Sequence, residues 1–294
     1  NAITAPMEAR IHNTVSGKDS AIQTEPLANY NIIVLDQALK GRSYLTFTNT
    51  NVLRNADARD ANVSAFDFSL FDKKNLFNVK GTARYSKIFS NNPYDGYNTT
   101  LKVGKVSGKW QYFVQGNVES ANYDPRDLGF LQAANEVSVN NSITYSQFTP
   151  TKNLLSYNYK LTAKYAKLYA PSEFTNFDVS ANGFWLLKNF WDISLNARFT
   201  ADQHDYFVLG DPATYKRFVK RPRYGSLTVS GSSDSRKRLF VNYSALFASF
   251  FNSAPNKYYH SISGGIRYRF SNKFTLDLSH SHETETDYII AAGR

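Results

Sequence analysis

The sequence predicts an all-β fold: a transmembrane, antiparallel, up-and-down β-barrel with about 14 strands in this segment, part of a larger barrel. Three observations predict it. Apolar and polar residues alternate with a period of two in stretch after stretch. The connections between those stretches alternate between tight and longer. Aromatic residues gather near the ends of the stretches and leave a Leu/Val/Ala/Gly middle.

The alternation is clearest in 76–89. Phe77, Val79, Gly81, Ala83 and Tyr85 fall on one face, and Asn78, Lys80, Thr82, Arg84 and Ser86 on the other. Successive strand residues point to opposite faces, so this stretch is a strand with one apolar and one polar side. The same reading gives strands over 29–37, 43–54, 62–71, 76–89, 96–106, 109–120, 136–148, 154–168, 174–187, 190–201, 224–233, 237–251, 257–270 and 273–287. Leu155, Tyr157, Tyr159, Leu161 and Ala163 oppose Ser156, Asn158, Lys160, Thr162 and Lys164. Trp191, Ile193, Leu195, Ala197 and Phe199 oppose Asp192, Ser194, Asn196 and Arg198. Two strands depart from the pattern: 29–37 is apolar on both faces at Ile32, Ile33, Val34 and Leu35, and 109–120 places Phe113 on its polar face. Residues 1–28 show no period and read as an extracellular loop or lead-in, 29–289 as the barrel strands, and 290–294 as a tail.

Tight turns fall at 38–42, 72–75, 107–108, 149–153, 188–189, 234–236 and 271–272. Mostly longer connections fall between them, at 55–61, 90–95, 121–135, 169–173, 202–223 and 252–256. A meander with every tight turn at one rim gives this pattern, as in barrels with short periplasmic turns and longer extracellular loops. Aromatics flank the turns (Phe71, Phe77, Trp110, Phe148, Phe190, Trp191, Phe270, Phe274). A second band lies toward the loops (Tyr85, Phe89, Tyr97, Tyr145, Tyr165, Phe177, Phe199, Phe251, Tyr258). Two such girdles fit an apolar band about 25 Å tall. A soluble β-sandwich or β-solenoid would also alternate, but needs neither the loop pattern nor so charged a polar face.

The sequence holds no apolar run of about 18 residues, which excludes a transmembrane helix and leaves strands as the way across. It has no cysteine, which excludes disulfides and thiol chemistry. It begins Asn1-Ala2-Ile3 with no signal segment, so a signal has been removed or the sequence starts within a longer protein.

The net charge of +10 raises the question of nucleic acid. The basic residues are spread through strands and form no recognised binding motif, so no nucleic-acid partner is expected. Lys80, Arg84, Lys102, Lys160, Lys164, Arg198, Arg267 and Arg269 stand on polar faces and are expected to line a lumen, opposite Asp67, Glu119, Asp178, Asp192 and Asp277. Lys216, Arg217, Lys220, Arg221 and Arg223 cluster in the longest loop. They read either as a solvated surface or as a contact for lipopolysaccharide phosphates or an acidic glycan.

No catalytic site, metal site or cofactor is expected. His280 and His282 share a strand face with Leu276 and Leu278 and read as interfacial. No HExxH, GxSxG or phosphate loop is present. Asp67, Asp178 and Asp192 facing lysines in a lumen are more simply structural than a glycosidase pair. Asp127-Leu128-Gly129-Phe130 is expected to fold back as a packed segment, since its apolar pair is wasted in water.

Several runs carry a family resemblance: Glu25-Pro26-Leu27-Ala28-Asn29-Tyr30-Asn31 leading into Val34-Leu35-Asp36-Gln37, Thr46-Phe47-Thr48-Asn49-Thr50-Asn51-Val52, Asp124-Pro125-Arg126-Asp127-Leu128-Gly129-Phe130-Leu131, and Lys220-Arg221-Pro222. Over nearly its whole length the chain resembles the C-terminal β-barrel domain of uncharacterised Bacteroidota outer-membrane proteins. Members usually carry an N-terminal module similar to family 9 carbohydrate-binding modules, and some are labelled hydrolases. The resemblance implies no catalytic residues. Against the family pattern the module is absent, Asn1-Ala2-Ile3-Thr4 looks like a strand end, and Gly293-Arg294 lacks a terminal aromatic. Three functions stay open: a channel or transport barrel linked to glycans, a non-conducting scaffold in a cell-surface outer-membrane complex, and an outer-membrane hydrolase acting on glycans. The expected partners are outer-membrane lipid and lipopolysaccharide, with glycans and other surface proteins as further candidates.

Overall fold

The computed structural model describes all residues except 13, 16, 56–57, 132, 209–213, 252–256, 285–290 and 294. The described residues form antiparallel β-structure with no helix. Fifteen strands belong to one sheet. The chain divides into two compact units, Asn1–Lys102 with Gly116–Val137, and Val103–Gln115 with Ser138–Arg294.

The first unit begins with β1 (Ala2–Thr4), β2 (Met7–His12) and β3 (Asp19–Glu25) and continues through β4 (Ala28–Ala38), β5 (Tyr44–Arg54), β6 (Asp60–Phe71), β7 (Phe77–Phe89) and most of β8 (Tyr94–Lys105). Strand β1 pairs with β4 from Ala2↔Tyr30 to Thr4↔Ala28, and β4 to β7 each pair with the next. The turn between β6 and β7 is closed by Asp72. Its carboxylate accepts the amides of Lys74 (3.1 Å), Leu76 (2.6 Å) and Phe77 (2.7 Å). Those amides, Phe77 first, hold the carboxyl below its ordinary value. Asn75 takes the left-handed conformation there (φ 53°), which asparagine tolerates better than most residues.

Strands β9 (Trp110–Glu119) and β10 (Glu136–Gln147) contribute to both units. The second unit then runs through β11 (Leu154–Lys167), β12 (Phe174–Leu187), β13 (Asp192–Thr200), β14 (Gln203–Asp205), β15 (Phe218–Arg221), β16 (Tyr224–Ser232), β17 (Leu239–Phe250), β18 (Lys257–Arg269), β19 (Thr275–Thr284) and β20 (Ala291–Gly293). Strands β11, β12, β13, β16, β17, β18 and β19 pair in that order, while β14, β15 and β20 make a separate small sheet. Two turns of this unit are stapled together. Arg236 chelates Asp234 through Nε (2.8 Å) and Nη2 (2.9 Å) and lies 3.8 Å from the Phe190 ring centroid. The Arg236 side chain pulls the Asp234 carboxyl down to about 2.

All fourteen expected strands are present to within two residues, except that the expected end of the last, at 287, lies outside the described residues. The expected closed ring is not present among the described residues. Among the described residues β1 pairs only with β4 and β19 only with β18, so the strand order is open. Residues 1–28, expected as a loop, hold β1 and the β2–β3 hairpin, and the 202–223 loop holds β14 and β15. The hairpin is exposed along both strands; Met7, Ala9 and Ile11 do alternate with Glu8, Arg10 and His12 in β2, but β3 shows no such period. The loop-length contrast is carried by two connections only, 120–135 and 201–223. The others at that end are no longer than the longest turn opposite. Tyr145, expected in the loop-side band, lies on the turn side, its ring 4.9 Å from that of Trp110.

Burial runs opposite to that of a water-soluble sheet. Leu101 (50% exposed), Ile143 (50%) and Leu161 (49%) project from the apolar face. Ser86 (1%), Ser142 (3%) and Thr200 (0%) lie covered on the polar one. The covered residues bond across strands: Thr82 with Thr100 (2.7 Å), Thr162 with Ser180 (2.5 Å), Asp192 with Ser232 (2.5 Å), and Asn182 with Asn196.

Candidate functional site: the polar face and its two long loops

In the first unit the 120–135 loop is laid against the polar face and held by carboxylates. Tyr97 donates its amide to Ser120 Oγ (2.8 Å), the Ser120 amide returns to the Tyr97 carbonyl (2.9 Å), and the Asp124 amide donates to the buried Ser86 Oγ (3.0 Å). Asp124, 2% exposed, accepts Nε and Nη2 of Arg126 (2.8 and 2.9 Å) and the hydroxyl of Tyr94 (2.8 Å). Asp127 accepts Arg54 on one oxygen (2.7 Å) and Arg59 on the other (2.8 Å). Arg59 also donates to Tyr94 Oη (3.1 Å), so the two carboxylates share one network. Beneath the loop Asn98 donates to Glu119 (3.2 Å) and Asn117 (3.0 Å), and Arg84 donates to Asn98 (3.3 Å).

The backbone fit is as close as the ionic one. A Cβ on Gly96 would lie 2.3 Å from the Tyr123 amide nitrogen, whereas one on Gly116 would meet nothing within 4 Å. Gly96→Ala is therefore expected to push the loop off β8 and open it to protease, and Gly116→Ala to leave it in place. Limited trypsin digestion of the two variants, followed by mass spectrometry, makes the comparison.

The loop packs, but not as its apolar residues suggested. Leu128 is 38% and Phe130 89% exposed. The acids are the buried part, because ion pairs and hydrogen bonds with Arg54, Arg59, Arg126 and Tyr94 satisfy them.

The Arg126 side chain holds the Asp124 carboxyl well below the usual carboxylate range. Its stabilising effect is complete above the unfolded value of about 3.9 and is lost only as pH falls through the lower native value. Protection of the Asp124 amide from hydrogen exchange, corrected for the intrinsic rate, is accordingly expected to stay flat from pH 8 to 5. Loss of protection by pH 5 would show that other groups hold the loop.

Arg84, Arg198 and Arg267 on the strands have local partners. Arg84 lies 3.7 Å from Asp67, and Arg198 is 2.5 Å from Asp178, which also accepts Thr200 Oγ1 (2.9 Å). Arg267 lies 4.7 Å from the Phe240 ring centroid and donates to the Ser235 carbonyl (3.3 Å). Lys80, Lys102, Lys160, Lys164 and Arg269 stand on the polar faces of β7, β8, β11 and β18. His280 and His282 pair in register with Gly264 and Ile262, on the apolar face, and the His282 ring is 6.0 Å from that of His260. No group of three or more His, Cys, Asp or Glu side chains converges as a metal set among the described residues.

In the second unit the two described ends of the 201–223 connection are tied together by acids. Asp202 binds Lys220 (3.0 Å) and the Arg223 amide (2.8 Å), and Asp205 binds Arg221 (2.9 Å). Burial pushes the Asp202 carboxyl up, but Lys220 and the Arg223 amide outweigh it and hold it low. His204 stacks on Phe218 with ring centroids 4.1 Å apart. Burial and the charge of Lys220 keep its pKa low. Of the five basic loop residues, Lys220 and Arg221 thus fasten β14 to β15, while Lys216 and Arg217 project from the strand entry, exposed.

Sequence reasoning missed Arg54, Arg59, Tyr94 and Ser86 as loop anchors. The available signal was opposite charge in connections at one end of the meander: Arg54, Arg59 and Asp60 in one, Asp124, Arg126 and Asp127 in another.

These features define the class: an all-β antiparallel meander whose polar strand face is covered and whose 120–135 loop is pinned to it by acids. The chain belongs to a family described as Domain of unknown function (DUF5916), whose model matches residues 1–290. No curated protein and no solved structure matched the chain.

Proposed function

We propose that this chain forms wall strands of an integral outer-membrane β-barrel of a Gram-negative bacterium, working as a channel or transport barrel linked to glycan binding or uptake. The reversed burial of the two strand faces carries this reading. In water a face of exposed Leu, Ile, Val, Phe and Trp opposite covered Ser, Thr and Asn is unfavourable. In a bilayer the same arrangement puts apolar side chains against lipid and polar ones inward. Most of the meander strands have 10–14 residues, enough for a tilted crossing that needs about 9–11. The basic side chains of the polar faces supply an anion preference. The resemblance to barrel domains that accompany carbohydrate-binding modules supports the link to glycans.

The test is single-channel conductance of the purified protein in a planar bilayer, alongside a heat-modifiable gel band. Steady openings with anion preference are expected. A heat-modifiable but silent protein would overturn the channel and leave the barrel. One observation favours a second reading in that case. The 120–135 loop lies on the polar face, which suits a non-conducting scaffold subunit, and stable co-purifying subunits would mark it.

A further inference from the structure

The second unit contains a cavity of about 760 Å3 lined by Pro171, Glu173, Tyr206, Lys216, Arg217 and Phe218, among others. We propose that it binds an anionic sugar, a pyranose ring carrying a carboxylate or a phosphate. The proposal rests on the glycan-linked reading above and names the ligand class of its basic loop.

Four observations carry it. Tyr206 and Phe218 lie 5.2 Å apart between centroids and offer aromatic surface to a sugar's C–H face. Their neighbours fix them, since His204 stacks on Phe218 and Phe174 meets His204 edge-on at 5.6 Å. Tyr206, only 3% exposed, is held by its neighbours at the cavity wall. A phenol hydroxyl on a ring that lines a cavity is a group a ligand can hydrogen-bond. Lys216 and Arg217 line the same cavity, exposed and without a carboxylate partner among the described residues, while Lys220 and Arg221 are spent on Asp202 and Asp205.

The charge balance sets the ligand. Among the described lining residues two cations against Glu173 leave one positive charge in excess, which suits one anionic group, bound by charge-assisted hydrogen bonds. Glu173 is placed to accept sugar hydroxyls, and Tyr206, kept protonated by burial, to donate or accept one more.

The experiment is calorimetric titration of the detergent-solubilised protein with trigalacturonate and, as the neutral control, maltotriose. Trigalacturonate is expected to bind at least about tenfold more tightly. The double variant Lys216→Gln/Arg217→Gln, both at exposed positions, should lose that preference. Tyr206→Phe should bind several-fold more weakly at an unchanged thermal midpoint. Competition by intact but not dephosphorylated lipopolysaccharide would identify a phosphorylated surface lipid as the source, and its absence a soluble acidic glycan. Equal binding of the two trisaccharides, binding of neither, or full retention in the double variant would overturn the proposal. Titration needs no bilayer, so conductance without binding overturns this site alone, and binding without conductance overturns the channel alone.

Discussion

Asp127→Ala is expected to release the 120–135 loop. The wild-type carboxylate, 6% exposed in its side chain, binds Arg54 and Arg59 through separate oxygens. Removing it leaves Arg54, itself 16% exposed, without its counter-charge. Breaking a buried pair by deleting one partner costs about 3–5 kcal/mol, and the half-exposed Arg59 lowers that to about 2–3 kcal/mol here. That corresponds to a roughly 30- to 150-fold rise in the open population of the loop. Trypsin cleavage after Arg126 in intact cells is the readout. Wild-type protein should be cut much more slowly there than after Arg223, and the variant should reverse that order. If the polar face lines a conducting path, the variant should also carry a larger and noisier current. An unchanged cleavage rate would mean that the loop is held by its backbone fit on Gly96 and not by charge.

Leu161→Arg is expected to abolish assembly, and Asn158→Arg, three residues away on the other face of β11, to be tolerated. Leu161 stands in mid-strand, paired in register with Ala181 and half exposed. An arginine at the lipid-facing midplane of a barrel costs about 2–4 kcal/mol, whereas one facing the lumen changes selectivity instead. A water-soluble sheet predicts otherwise. There an exposed Leu→Arg substitution lies within about 0.5 kcal/mol of neutral. Outer-membrane abundance and heat-modifiability of the two variants therefore separate a lipid-facing from a water-facing apolar surface without any knowledge of ligand.

The meander was legible because its signal is local. In β7 and β11 every second side chain differs in kind, so strand, face and approximate ends follow from spacing alone. Strands β14 and β15 were not legible because they are short; β2 did carry a signal, Met7, Ala9 and Ile11 alternating with Glu8, Arg10 and His12, but its partner β3, solvated on both faces, has no such period. The loop anchors were hidden for a different reason. Arg54 and Asp127 meet across 73 positions of sequence, and nothing in either connection names the other. The segment around Asp127 was correctly marked as packed, but by the wrong residues: apolar surface suggested Leu128 and Phe130, and ion pairing selected Asp124 and Asp127. The basic loop shows the same limit. Composition gathers five cations into one cluster, and only the fold separates the two that face a cavity from those that tie strands together.

The edge strand β4 sets a condition on where this chain can persist. Strand β1 covers only Ala28–Tyr30, so from Asn31 onward that side of β4 has no strand neighbour among the described residues. Ile32, Ile33, Val34 and Leu35 there are each more than half exposed. In water such an edge is a template for another chain, and colloidal association through it should begin at low concentration. In hydrocarbon the side chains are at ease, but each backbone amide and carbonyl left without a partner costs several kcal/mol. The same eight residues are thus adhesive in one solvent and untenable alone in the other, and in either the lasting state is one in which a strand lies against them.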